Sequence, residues 1–177
     1  VLVLESVERA ERRGARIHAE VVSGGNTNDA YHAVTPRPDS LGVVNMMRVA
    51  IQKAGIDASE IGYINPHGTS TPQGDAAETK AIKEVFGDHA RSLLVSSTKS
   101  ATGHQFGGAG SFEVMVCALA LRDQIVPPTL NYRDPDPECD LDYVPNTARR
   151  QRVDVAVSNS FGFGGHNAVL VFKKDAA

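Results

Sequence analysis

Only two cysteines, Cys117 and Cys139, occur in the 177 residues of this chain. They form no disulfide framework and no metal-ligand spacing, so no metal site is expected. A reducing, cytoplasm-like compartment is the default reading. No apolar run approaches the length of a bilayer span, and no signal-peptide pattern opens the chain. Net charge is −3 with the histidines neutral, which leaves no basic field for nucleic acid or an anionic membrane surface. No repeat at fixed period and no low-complexity segment breaks the pattern. What is left is 41% apolar and 22% charged, the composition of a globular domain long enough for one full core. The first residue is Val rather than Met and sits in a strand-like run, so the chain is expected to be part of something longer.

Residues 1–4 read as a buried strand and residues 5–13 as a short charged helix closed by Gly14. Residues 16–22 alternate as a half-buried strand should, and residues 23–40 read as a long polar loop. One apolar face (Leu41, Val44, Met47, Ile51) marks a helix over 41–54, ended by Gly55. Asp57 to Glu60 resembles a capping box ahead of a strand at 61–65. Helices follow at about 75–86 and 108–121, with a strand at 93–97 between them. A proline- and acid-rich connection covers 125–142. Two strands, 153–158 and 167–172, flank a glycine-rich turn and predict a terminal antiparallel hairpin. This order argues for an α/β layered domain with a mostly parallel sheet flanked by helices.

Three stretches carry the chemistry: His67-Gly-Thr-Ser-Thr-Pro72, Lys99-Ser-Ala-Thr-Gly-His104 and Asn159-Ser-Phe-Gly-Phe-Gly-Gly-His-Asn167. Each leaves or joins a strand and is rich in Gly with Ser or Thr, so their groups are expected to share one pocket. Two neutral imidazoles aimed at one point stabilise an oxygen that gains negative charge. Lys99 balances charge against Asp75, Glu78 or Glu113. The glycines of the turn, Gly162, Gly164 and Gly165, allow backbone N–H groups to serve as an oxyanion hole. Taken singly, each group has a plainer reading: a hydrogen-bonding histidine, a solvated lysine, first-turn acids at a helix dipole, and Phe161 and Phe163 as core anchors. His18, His32 and His89 are assigned to the surface. Cys117 reads as a small buried hydrophobe, and Cys139 lies among acids that raise a thiol pKa.

In this order and spacing the three motifs resemble the C-terminal half of a β-ketoacyl-acyl-carrier-protein synthase, of the class II condensing type. The resemblance covers nearly the whole chain, including the loop from Asp134 to Pro145. It implies a thiolase-like fold, with residues 1–24 ending the N-terminal half and 25–177 forming the C-terminal domain. It also implies decarboxylative condensation of a malonyl thioester on acyl-carrier protein with an acyl-enzyme thioester. His67 and His104 match the enolate-stabilising pair, and Lys99 matches the lysine that structures it through Glu113, with Asp75 and Glu78 in the same network. Phe163 matches the gating phenylalanine whose N–H completes the oxyanion hole. Thr69 and Thr71 match hydroxyls that bind the phosphopantetheine arm. That arm belongs to the carrier protein, so no cofactor of the chain's own is implied. The implied partners are the carrier protein, the missing N-terminal half and a second copy in a homodimer.

Departures from the family pattern are Pro66, the run Gln105-Phe-Gly-Gly108 and His166. Phe106, beside the acyl pocket that the resemblance implies, is expected to alter chain-length preference. No Ala-Cys-Ser-like nucleophile motif occurs, so the acyl-carrying thiolate is expected on the missing half. Three alternatives stay open: a decarboxylase or chain-length relative with Gln for Cys, a silent domain that binds carrier protein, and a thiolase. The presence of both histidines counts against the first and the third.

Overall fold

β2 (Ile61–Asn65) and β6 (Val155–Gly162) lie inside the sheet, and Ile61, Tyr63, Ile64 and the run from Val155 to Val157 are buried. A strand covered on both sides needs no polar alternation, which is why Val155 to Val157 reads as an unbroken apolar run. The fold comes from a computed structural model that describes residues 1–175. The other strands of the sheet are β1 (Glu20–Asn28), β3 (Leu94–Val95) and β7 (His166–Lys173), in the order β1-β7-β6-β2-β3. A separate two-stranded ribbon pairs β4 (Ile125–Val126) with β5 (Arg149–Arg150). The helices are α1 (Val7–Arg12), α2 (Leu41–Ala54), α3 (Pro72–Phe86), α4 (Lys99–Thr102) and α5 (Ala109–Asp123).

β6, β2 and β3 are neighbours and run parallel, while β7 pairs antiparallel with both β6 and β1. The sheet is therefore mixed, with as many antiparallel pairings as parallel ones. Its two faces bury different partners. Ile61, Ile64, Val155 and Val157 pack with α2 and α3, whereas Tyr63, Ala156 and Phe172 pack with Cys117, Ala120 and Leu121 of α5. Alternate residues of one strand thus serve opposite layers, and the domain is a helix–sheet–helix sandwich.

Helix α2 occupies the expected residues, and Gly55 closes it with φ 65° and an N–H to the Gln52 carbonyl. The capping box forms at Asp57 and Glu60. Helix α3 starts three residues earlier than expected because Pro72 stands at the first turn, where a missing N–H is no loss.

Three expectations need correction. Residues 1–4 are not a buried strand: they are irregular and exposed, and among the described residues no strand pairs with them. Residues 23–28 are strand rather than loop. Their polar side chains find carbonyls of α2, with Ser23 Oγ donating to Ala50 (2.7 Å) and Thr27 Oγ1 donating to Gly42 (2.8 Å). His89 is half-buried, and one ring nitrogen lies 2.8 Å from the Ile61 carbonyl at the start of β2.

Close packing of β1 on α2 depends on Gly25, where an added Cβ would lie 2.7 Å from the Met46 carbonyl oxygen. Gly62 has no such neighbour, its nearest contact being 3.6 Å away. Gly25→Ala is expected to cost about 1–3 kcal/mol through forced displacement of α2. Gly62→Ala is expected to change stability by less than about 1 kcal/mol. Guanidinium unfolding of the two variants measures the difference.

Candidate active site

The carboxyl ends of the three parallel strands β6, β2 and β3 lie at one edge of the sheet, and each runs into one of the three motif loops. Beyond β2, Gly68 adopts φ 40°, and a Cβ there would come within 2.7 Å of the Ser97 Cβ. Only glycine lets this loop close onto the loop after β3, and Ser97 Oγ seals the contact by donating to the Gly68 carbonyl at 2.8 Å. Glu78, buried on α3, accepts from the backbone N–H groups of His67 and Gly68, both at 3.0 Å. It also accepts from Asn159 Nδ2 at 3.1 Å, which brings in the end of β6.

His67 and His104 meet edge to face, with ring centroids 5.5 Å apart and planes at 84°. The other neighbour of the His67 ring is Phe161, at 5.2 Å. Burial, reinforced by the charge of Lys99 and by His104, lowers the His67 pKa to about 3, so this imidazole is neutral at physiological pH. His104 Nδ1 accepts the backbone N–H of Phe106 at 3.3 Å. A neutral imidazole that accepts at Nδ1 carries its proton on Nε2, so His104 presents a donor.

Lys99 forms a buried ion pair with Glu113 of α5. Burial raises the Glu113 pKa against the pull of Lys99, and Ser160 Oγ donates to its second oxygen at 3.4 Å. A cleft of about 650 Å³ opens beside this pair, and its walls include Thr69, Thr71, Asp75, Glu78, Lys99 and His104. Asp75 accepts the Ser70 N–H at 3.2 Å, and burial raises its pKa. The volume falls in the range of small-ligand sites. Among the described residues no group of three or more His, Cys, Asp or Glu is gathered as for a metal ion. Burial pushes both thiols up, Cys117 in the core and Cys139 beside the cleft.

The turn after β6 is arranged differently from a core anchor. Phe163 is 72% exposed, and it is Phe161 that packs inward against His67. The Gly164 N–H is committed to the Ala33 carbonyl at 2.7 Å, so that amide is not offered to a ligand. Gly165, at φ 76°, leaves no room for a Cβ, which would lie 2.9 Å from the Asp29 Cβ. Buried Asp29 accepts from Asn167 Nδ2 at 2.7 Å, and its N–H donates to the Gly165 carbonyl at 2.8 Å. Gly162 is the extended last residue of β6. His67, Phe163, Glu113 and these three glycines lie outside the cleft wall, His67 reaching it through its contact with His104.

Residues 18–133 match the β-ketoacyl synthase C-terminal domain. The chain belongs to the β-ketoacyl synthase family. It is 53% identical over 174 residues to 3-oxoacyl-[acyl-carrier-protein] synthase 2 of Staphylococcus aureus strain COL, covering 98% of this chain and 42% of that relative. The synthase 2 of Synechocystis is 51% identical with the same coverage. A chain of a solved complex, a type II PKS acyl-carrier protein in complex with its ketosynthase bound to the hexaketide, superposes with a TM-score of 0.94 at 38% identity. That match covers 97% of this chain and 42% of the other. The chain thus spans about two fifths of the length of these ketosynthases, as the C-terminal part, and it shares their thiolase-like α/β fold.

Within this family member the sequence singled out His67, Lys99, His104, Asp75, Glu78 and Glu113 but gave no part to Asn159, Ser160 or Asp29. All three sit in or beside Gly- and Asn-rich strand ends, and their partners lie more than forty residues away. No local signal marks such contacts.

The electrostatics of His67 and Glu78 yield a pH test. Folding lowers the His67 pKa from 6.5 to about 3, so below pH 6.5 the unfolded chain binds a proton that the folded chain refuses, and stability falls on acidification. Folding raises the Glu78 pKa from 4.5 to about 7, mainly by burial, so over that window the folded chain holds the extra proton and stability rises on acidification. The two slopes offset each other where they overlap. Glu78→Gln is expected to leave the His67 slope exposed, a loss of about 1.4 kcal/mol per pH unit below the His67 window's upper edge. His67→Asn is expected to tilt the other way. Unfolding midpoints of the two variants and the parent at about pH 5 and about pH 8 read both signs.

Proposed function

We propose that this chain supplies the decarboxylating half of a 3-oxoacyl-acyl-carrier-protein synthase of fatty-acid synthesis. The carrying observation is the pair of imidazoles, His67 neutral and His104 with its proton on Nε2, set edge to face beside a buried Lys99–Glu113 ion pair. The malonyl thioester enters on acyl-carrier protein, its phosphopantetheine arm bound by Thr69 and Thr71. The bond between methylene and carboxylate breaks, CO₂ leaves, and the electron pair passes into the enolate. His67 and His104 donate hydrogen bonds to the enolate oxygen, a group that gains charge only as the reaction proceeds. Lys99, neutralised by Glu113, holds the local charge near balance, while Glu78 and Asp75 fix the His67 loop.

The carbanion then attacks the carbonyl of an acyl thioester carried on a cysteine of the N-terminal half. The Phe163 N–H serves the tetrahedral oxyanion, the thiolate leaves, and 3-oxoacyl-acyl-carrier protein results. The residues ahead of β1 close that first half, the chain from β1 onward forms the second, and two copies associate as a homodimer. The reaction is placed in a bacterial cytoplasm or its organellar equivalent. Support for the missing half comes from the family relatives, of which this chain covers 42%.

The test uses the full-length polypeptide that contains this chain, with malonyl- and acyl-loaded carrier protein. His67→Ala and His104→Ala are each expected to slow CO₂ release by about 10²–10³. Carrier-protein binding without any turnover by the parent would overturn the proposal in favour of a silent docking domain.

A further inference from the structure

Phe106 stands at φ 48°, a left-handed conformation that strains a bulky side chain and costs glycine nothing. The core does not hold it there, since Phe106 is 75% exposed. Strain of this kind persists where the surroundings over-determine the residue, most often at functional sites. Two contacts do so here, and both go to the same side chain. The Phe106 ring stacks on the His104 imidazole, centroids 4.9 Å apart and planes within 17°. The Phe106 backbone N–H reaches His104 Nδ1 at 3.3 Å. The edge-to-face contact with His67 bounds the imidazole from another direction.

We infer that Phe106 is a positioning residue for His104. Its ring fixes the plane of the imidazole and its amide fixes the tautomer, so the Nε2–H is held in one direction when the enolate oxygen forms. The φ strain is what brings ring and amide to bear on the same histidine. The inference rests on the reading of His104 as an oxyanion donor, but its structural part is testable without turnover.

Three variants of the full-length polypeptide, labelled with ¹⁵N-histidine, separate the contributions. Phe106→Tyr keeps the ring, Phe106→Leu removes the stack but not the strain, and Phe106→Gly removes both, so its behaviour cannot be blamed on strain. In the Gly variant, which releases both ring and backbone, the His104 nitrogen signals are expected to move from one Nε2–H tautomer toward a mixture, whereas Leu, which keeps the strained amide, is expected to keep the tautomer and lose only the fixed ring plane. The kcat for malonyl decarboxylation is expected to fall about tenfold, with KM held within about twofold. Tyr is expected to preserve the tautomer and the rate. Unchanged His104 signals in Gly would overturn the inference, as would a change confined to KM for long acyl primers, which would make Phe106 a wall of the acyl site. Full decarboxylation by His104→Gln would instead sink the reading of His104, leaving the nitrogen signals to decide the structural claim.

Discussion

Taking a carboxylate out of water costs several kcal/mol unless donors surround it, and the Glu78 carboxylate is surrounded by three. The geometry of the site follows from satisfying that one group. The His67 and Gly68 amides must point at α3, which turns the His67 ring toward His104 and Phe161. Asn159 must face the same carboxylate, which fixes the end of β6 relative to the end of β2. Three loops far apart in sequence are thereby held to one point. The rest of the fold supplies the layers that keep α3 in place.

The second buried charge works differently. Lys99 is paired with Glu113, and it is burial, reinforced by the charge of Lys99, that keeps His67 uncharged. In the proposed reaction a neutral imidazole would donate to the nascent enolate without first attracting the malonyl carboxylate, which favours the transition state over the ground state. The two buried carboxyls therefore divide the work between positioning a loop and balancing a charge.

Much of this was legible in the sequence because the relevant signals are local. Helix α2 declares itself by an apolar stripe and a terminal glycine, β2 by an aliphatic run, and the three loops by glycines next to His and Lys. Long-range signals were not legible. Ser23 to Asn28 looks like loop by composition, yet Gly25 lets it lie against α2, whose carbonyls accept its hydroxyls. Residues 1–4 have strand composition but no sheet edge to join among the described residues. The division of labour between Phe161, which faces His67, and Phe163, which is exposed, depends on the direction of a strand's last residues, and composition carries no trace of it.

If His67 and His104 act as one unit on one oxygen, a double-substitution cycle on CO₂ release from malonyl-carrier protein, comparing both single alanine variants with the double, reads it out. The double variant is then expected to be slower than the worse single by no more than about tenfold, because residues acting as a unit are not additive. A double variant whose loss equals the product of the two single losses would contradict it and assign the two imidazoles to separate steps.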